Sequence, residues 1–263
     1  MSSLRITRRG LLGLGAASAS SLVLSGCDLF DGIGSQDSRA RRFLEKANDV
    51  TYRAQRLLIR DGALAPEYSE SEIRQGQRPN GSRDPRSPEY LALKANDFRD
   101  YRLSITGLVE KPVSFSLDKL RNMPSRTQIT RHDCVEGWSC IAKWTGTPLS
   151  GPLSEAKLKP EARFLVFHCY DDLGSAVSGP QLYYESCDLI DAHHPQTILA
   201  YGLNGQPLPV TNGAPIRLRV ERALGYKQPK YVHTIEAVSH YTGFGRGKGG
   251  YWEDRGYDWY GGI

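Results

Sequence analysis

One cysteine with polar and aromatic neighbours is the residue of this chain most suited to chemistry. Cys134 stands in the segment Arg-His-Asp-Cys-Val-Glu-Gly-Trp, residues 131–138, and a second tryptophan follows at position 144. A thiolate is a soft ligand that soft transition metals favour, and coordination to a metal removes the thiol proton. A lone cysteine is otherwise a small apolar residue of the core. Cys134 is therefore either a metal ligand or a core residue, and the other motifs decide between the two.

Two basic segments follow about 80 residues downstream of the cysteine. The first is Thr-Asn-Gly-Ala-Pro-Ile-Arg, residues 211–217, and the second is Gly-Tyr-Lys-Gln-Pro-Lys, residues 225–230. Backbone N–H groups in a glycine-containing turn, joined by Lys and Arg side chains, form a good phosphate site. The alternative is a hairpin turn with exposed basic side chains.

Taken together, these motifs resemble the sulfite-oxidase family of molybdenum enzymes. The Cys-Val-Glu-x-Trp segment and the Asn-Gly-Ala-Pro-Ile-Arg segment carry the resemblance, which covers roughly residues 78–256. Within the family, the chain resembles the catalytic subunit of the periplasmic methionine-sulfoxide reductases. The resemblance implies that Cys134 ligates molybdenum held by a pterin dithiolene, and it implies a molybdenum–molybdopterin cofactor.

The resemblance also implies which residues hold the pterin. Asn212 is expected at the pterin edge, where its amide offers both a donor and an acceptor. Arg217 is expected to make paired bonds to the terminal phosphate. Lys227 and Lys230 match a phosphate loop of the family and are expected to contact the same group.

The resemblance also implies site roles for three further residues, each of which has an alternative interpretation. Asn80 falls where the family has an asparagine near the metal, and otherwise is an ordinary turn residue. Cys169 stands where the reductases have a threonine that touches the cofactor, and His168 replaces a glutamate, so this departure bears on the substrate. Glu136 is interpreted either as a general acid–base or as an ion-pair partner.

The N-terminal residues are typical of an export signal. Thr7-Arg8-Arg9 precedes an apolar stretch from Leu11 to Leu24, which predicts a twin-arginine signal over residues 1–26. Leu24-Ser25-Gly26-Cys27 resembles a lipobox, so Cys27 is expected to be lipidated and residues 27–37 to form a tether. The alternative is a cleaved soluble precursor. The twin-arginine route carries folded proteins, which agrees with a cofactor inserted before export.

The charge and the motifs of the sequence argue against several classes of protein function. Removal of residues 1–26 takes away three arginines and no acid, which lowers the formal charge from +5 to +2 and argues against nucleic-acid binding. The sequence contains no Cys-x-x-Cys, which argues against haem attachment and zinc, and its pattern has no β-α-β alternation, which argues against an NAD or flavin domain. A Cys169–Cys187 disulfide remains open.

The pattern along the chain predicts an N-terminal helix and linker over residues 38–77 and a molybdopterin-binding domain over residues 78–263. Apolar residues recur at helical spacing between Ser38 and Arg60. The arginines of this helix either form a solvated face or rest on anionic headgroups. From Tyr101 the pattern is mainly strands with short helices, so the fold class is α+β, mainly β, with the sulfite-oxidase fold. Residues 66–100 are expected to form a long irregular loop. Strands are predicted from 103 to about 111 and at 127–132, 163–170, 197–203, 206–210, 216–220 and 231–241. The strand at 127–132 is expected to present Cys134 at its end, and Asn204-Gly205 is the predicted turn of a hairpin. Short helices are predicted at 116–120, with Ser116 as its cap, at 154–159 and at 188–192.

These observations predict an exported molybdenum enzyme that transfers an oxygen atom to or from a small molecule. Reduction of an S-oxide or N-oxide is the first expectation, and oxidation of sulfite or another small anion is the alternative. A non-catalytic lipoprotein binding module on the same fold is a second alternative. Since no haem or dimerisation domain is recognised in the chain, electrons are expected to pass through a separate electron-transfer protein. The expected location is the periplasm or the outer face of the cytoplasmic membrane.

Overall fold

The computed structural model describes residues 39–174 and 177–263, in two compact units that divide after Ala54. The predicted signal, the lipidated Cys27 and the tether lie outside the described residues. Among the described residues, no helix is both long enough and apolar enough to cross a bilayer. The predicted boundary between residues 77 and 78 stays a prediction.

Five α-helices belong to the described part of the chain. Helix α1, Arg39–Leu58, agrees closely with the predicted helix. Helix α3, Leu117–Arg121, begins at Ser116, whose side chain accepts a hydrogen bond from the Lys119 N–H as predicted. The segment expected to be irregular contains helix α2, which Ser87 caps and Pro88 begins. The helices not yet bounded are α2 (Pro88–Ala95), α4 (Ser150–Ala156) and α5 (Leu189–Ala192).

The first of two five-stranded sheets consists of β1 (Arg102–Gly107), β2 (Val113–Ser116), β5 (Phe164–Asp172), β6 (Leu182–Asp188) and β10 (Val232–Val238). The strand order is β2-β1-β10-β5-β6. Only β1 and β10 run parallel, and the other neighbours are antiparallel.

The second sheet consists of β3 (Arg126–Cys134), β4 (Trp138–Pro148), β7 (Ile198–Leu203), β8 (Gln206–Pro207) and β9 (Arg217–Arg219). The strand order is β3-β4-β7-β8, and β9 also pairs with β7. The predicted Asn204-Gly205 hairpin is confirmed, and both turn residues have positive φ. Cys134 is the last residue of β3, as predicted, and it pairs with Trp138 across a tight turn.

The main core joins the inner face of the first sheet to strands of the second. Leu103, Phe115 and Phe167 from the first sheet are fully buried in one cluster with Leu199 and Leu218. This packing fixes β9 and the loops beyond it against the first sheet. The structure is mainly β with two sheets and short helices, so the predicted fold class is confirmed.

Candidate functional site

The β3–β4 hairpin places Cys134 at the wall of a cavity of about 120 Å³. Three chain segments supply most of its lining, namely residues 80–82, 134–136 and the loop 225–230 without Lys227. The other lining residues are Asp171, Leu173, Tyr183, Trp252 and Tyr257. The thiol is half-buried, and burial raises the pKa of Cys134. Since that shift favours the neutral thiol, a bound cation is needed to hold Cys134 as a thiolate at neutral pH.

Lys230 ties two of these segments together. Its Nζ donates to the carbonyl oxygens of Asn80 at 2.6 Å and Thr211 at 3.3 Å, and also to that of Ser82. Asn80 therefore reaches the site as predicted, through its backbone carbonyl. Burial, with the nearby Arg217 cation, lowers the pKa of Lys230 to about 7. No hydrogen bond of Lys230 within the described residues ends on a carboxylate.

Arg217 lies on β9 and is 2% exposed. Its Nη1 donates to the carbonyl of Asn212 at 3.0 Å, and Nη2 donates to the carbonyl of Gln228 at 3.3 Å. The guanidinium lies 5.1 Å from the centre of the Trp144 ring, and among the described residues its Nε has no hydrogen-bond partner. Burial, with the positive charge of Arg219, lowers the pKa of Arg217 to about 9.

These two cations fit an anion-bearing group. Both are buried, and their hydrogen bonds to the described residues end on carbonyl oxygens. Their mutual repulsion exceeds the attraction of Asp171 for Lys230, so an anion between them would offset the excess positive charge. Gly213 lets the two side chains pack close to the backbone, because a Cβ there would lie 3.0 Å from Lys230 Cβ and 3.1 Å from Arg217 Cβ, at a φ of 115°. A pterin phosphate and a soft metal on Cys134 match the donors present.

Lys227 has a different environment from the one predicted. Its Nζ donates to Glu185 Oε1 and Glu253 Oε1, both at 2.5 Å, and these carboxylates raise the pKa of Lys227 despite its burial. Lys227 also does not line the cavity of Cys134. Its charge is matched by the protein itself, which favours a structural role over the predicted phosphate contact.

Cys169 is buried on β5 and lines a different cavity, of about 540 Å³, beside His168 and His233. His168 Nε2 lies 3.1 Å from Glu236 Oε2. The structure therefore does not bring Cys169 to the cavity of Cys134. The Cys169 and Cys187 thiols are both unbridged.

Glu136 lies at the rim of the Cys134 cavity, with a side chain that is 60% exposed. It accepts a hydrogen bond from Trp138 Nε1 at 2.9 Å, and Arg78 Nη2 lies 3.8 Å from the same carboxylate oxygen. The Arg78 guanidinium also lies 4.9 Å from the centre of the Trp138 ring. Of the two interpretations of Glu136, this placement favours the ion-pair partner.

Asp171 is the cavity residue that sequence reasoning missed. It is 3% exposed, its Oδ2 accepts from Ser82 Oγ at 2.6 Å, and its Oδ1 has no hydrogen-bond partner within residues 39–174 and 177–263. Burial raises the pKa of Asp171 to about 6. The available signal was a pair of aspartates at the end of an apolar strand.

Comparison with known proteins agrees with this geometry. The sequence model of the oxidoreductase molybdopterin binding domain matches residues 90–243, so the chain belongs to that family. The resemblance predicted from the cysteine and Asn-Gly motifs is confirmed.

Relatives carry sulfoxide-reductase names. A putative protein-methionine-sulfoxide reductase subunit YedZ1 of Azospira oryzae is 41% identical over 63% of this chain and 57% of its own. The protein-methionine-sulfoxide reductase catalytic subunit MsrP of Ralstonia nicotianae is 37% identical over 52% of this chain and 44% of its own. The chain thus spans about half the length of the curated relatives it matches. Among solved structures, the sulfane dehydrogenase SoxCD of Paracoccus pantotrophus matches with a TM-score of 0.46 and 28% identity, over 54% of this chain and 39% of that one.

Proposed function

We propose that this protein is an exported molybdenum–molybdopterin oxidoreductase that reduces an S-oxide or N-oxide by oxygen-atom transfer. The observation that carries the proposal is a cavity lined by one thiol, Cys134, and by the buried Lys230, with the buried Arg217 bonded to the carbonyl of the lining residue Gln228. Within the described residues, no hydrogen bond of either cation ends on a carboxylate. Relatives named as methionine-sulfoxide reductases favour an S-oxide over an N-oxide.

The residues would divide the work as follows. Cys134 ligates the metal, and Arg217 and Lys230 bind the phosphate of the pterin, with Asn212 at the pterin edge. When bound, the cofactor supplies two-electron redox chemistry and the site of oxygen transfer. The protein positions the reacting atoms and excludes water from the cavity.

Reduction of an S-oxide to a sulfide consumes two electrons and two protons and releases water. Asp171 can hold one of these protons on its partnerless Oδ1, since its pKa of about 6 keeps part of the carboxyl protonated near neutral pH. The electrons come from a separate redox protein, as the catalytic-subunit names of the relatives suggest.

A second candidate is oxidation of sulfite or another small anion. Arg78 supports it, because its guanidinium stands at the rim of the Cys134 cavity beside Trp138 and Glu136. A cation at the entrance attracts small anions. Screening sulfite with an electron acceptor against sulfoxides and N-oxides with a reduced dye separates the two candidates.

The decisive experiment measures metal and turnover on the purified protein. We expect molybdenum and pterin to be present, and Cys134→Ala to lose turnover to background because the metal loses its protein thiolate. Cys140→Ala serves as the control, since Cys140 is a buried thiol on the neighbouring strand. Wild-type turnover in Cys134→Ala, or purified protein without molybdenum, would refute the proposal.

The proposed location rests on the N-terminal motifs. Arg8→Lys combined with Arg9→Lys should leave the protein in the cytoplasm. Mass spectrometry of the mature N-terminus should find an acylated Cys27, and an unmodified Cys27 would contradict the lipid anchor.

A further inference from the structure

Helix α1 presents its apolar side to solvent. Its large apolar residues are highly exposed, at 72% for Phe43, 66% for Val50, 86% for Leu57 and 81% for Leu58. The half-buried positions of the helix are Asn48, Tyr52, Gln55 and Arg56. With 3.6 residues per turn, these two sets lie on opposite sides of the helix. An ordinary surface helix buries such an apolar stripe, whereas these four side chains are exposed.

Two polar residues fix the C-terminal end of the helix. Arg56 Nη2 lies 2.8 Å from Asp188 Oδ2 and 2.7 Å from Asp191 Oδ2, and Tyr260 donates to Gln55 Oε1 at 2.9 Å. Because Arg56 is held by two carboxylates, the next two residues, Leu57 and Leu58, turn away from them. Gln55 and Arg56 thus make the polar contacts of the helix end, and Leu57 and Leu58 remain exposed.

The charge of the helix indicates what covers that side. Arg39–Leu58 contains six basic and two acidic residues, which gives a formal charge of +4. Lys46 and Arg53 are exposed, and both flank one edge of the apolar stripe. An apolar stripe bordered by cations is the pattern of helices that lie in the interface of an anionic bilayer.

We propose that helix α1 lies flat on an anionic lipid surface, with Phe43, Val50 and Leu57 in the acyl boundary and Lys46 and Arg53 among the headgroups. The stripe from Phe43 to Leu58 is about 22 Å long at 1.5 Å per residue. This inference deepens the proposed membrane location, and it rests on that proposal because Cys27 precedes the helix by eleven residues. Such a segment reaches at most about 40 Å, which keeps the helix near the lipid anchor.

The test measures vesicle binding without the lipid anchor. The complete mature chain, loaded with cofactor and carrying Cys27→Ser, is exported behind a signal that is cleaved before position 27. It is sedimented with vesicles of phosphatidylglycerol and phosphatidylethanolamine. Phe43→Gln with Val50→Gln and Leu57→Gln should lower the partition coefficient at least about a hundredfold. Lys46→Gln with Arg53→Gln should lower it about thirtyfold on these vesicles, and far less on vesicles of phosphatidylcholine alone.

The matched control replaces two exposed leucines elsewhere, Leu91→Gln with Leu182→Gln, and should leave binding within about twofold of the parent. Molybdenum content and turnover should be unchanged in all variants, so a failure of the proposed enzyme function is seen separately. Equal binding by the parent and the triple variant would overturn the inference. So would a parent that ignores vesicles but forms dimers that the triple variant loses, because the apolar side would then pair with a second copy.

Discussion

Two lysines three residues apart in one loop have opposite environments. Lys227 lies between the carboxylates of Glu185 and Glu253, which raise its pKa, whereas Lys230 bonds only to backbone carbonyls and has a pKa lowered to about 7. Both are buried, so burial alone does not distinguish them. Asp171 attracts Lys230, but Arg217 repels it more strongly. A cation that bonds directly to carboxylates stabilises the fold, and a cation that bonds only to carbonyls among the described residues is available to a ligand.

Two arginines on β9 show the same division. Arg219 makes two bonds to Glu221, through Nε at 3.0 Å and Nη2 at 2.6 Å, and its Nη1 lies 2.8 Å from His132 Nδ1. Arg217 bonds only to the carbonyls of Asn212 and Gln228. Trp144 lies against both guanidinium groups, so the two residues differ in their charge partners and not in their packing.

The largest expected effect concerns the two cations without carboxylate partners. Arg217→Met combined with Lys230→Met removes charge-assisted bonds worth about 1.5–3 kcal/mol each. Cofactor retention should therefore weaken at least about a hundredfold, by the rule of tenfold per 1.4 kcal/mol. The measurement is molybdenum and pterin per chain, beside a far-ultraviolet spectrum that reports folding. Full occupancy in a folded double variant would show that β9 and this loop do not hold the pterin phosphate.

Replacement of Lys227 should lower the stability of the fold and leave the cofactor content unchanged. Lys227→Met leaves Glu185 and Glu253 buried without their cation, which costs about 3–5 kcal/mol of unfolding free energy. Urea unfolding of the cofactor-free protein measures this loss. The folded fraction should keep its cofactor. A stable variant that has lost the cofactor would instead restore Lys227 as a phosphate contact.

A smaller effect is expected at Asp171. Its folded pKa of about 6 exceeds the ordinary value of 3.8, so the carboxyl costs stability as the pH rises from about 4 to 6. Asp171→Asn should therefore stabilise the cofactor-free protein at pH 7 and have little effect below pH 4. If Asp171 supplies a proton, wild-type kcat falls as the pH rises through about 6, and the variant has a lower and flatter profile. An unchanged profile would leave Asp171 without a role in proton transfer.

The smallest effect is expected at the rim. Glu136 is 60% exposed and 3.8 Å from Arg78, and surface ion pairs of this kind contribute about 0–1 kcal/mol. Glu136→Gln should change kcat/KM by no more than about fivefold, and Arg78→Gln should do the same. A loss of about a hundredfold or more in kcat for Glu136→Gln alone would support the general acid–base interpretation.

Prediction from the sequence succeeded where the signal was local. The cap at Ser116, the Asn204-Gly205 turn and the strand that ends at Cys134 depend on residues close together in the chain. It failed for β6, Leu182–Asp188, where Glu185 interrupts the apolar pattern. Burial of that glutamate is tolerated only because Lys227, 42 residues away, bonds to it. A prediction from neighbouring residues in the sequence cannot include an ion pair between residues so far apart in the chain.

By itself, the sequence determined the family, the fold class and the positions of the cysteine and of the basic loop. Motif spacing and strand periodicity are properties of the chain alone, and they sufficed for these conclusions. Only the tertiary structure decided which cations face the cavity, that Asp171 lines it, and that Cys169 does not. It likewise decided that α1 shows its apolar side to solvent. The physical reason is that a charge is matched or left over according to partners that long-range packing brings near, and chain order does not fix those distances.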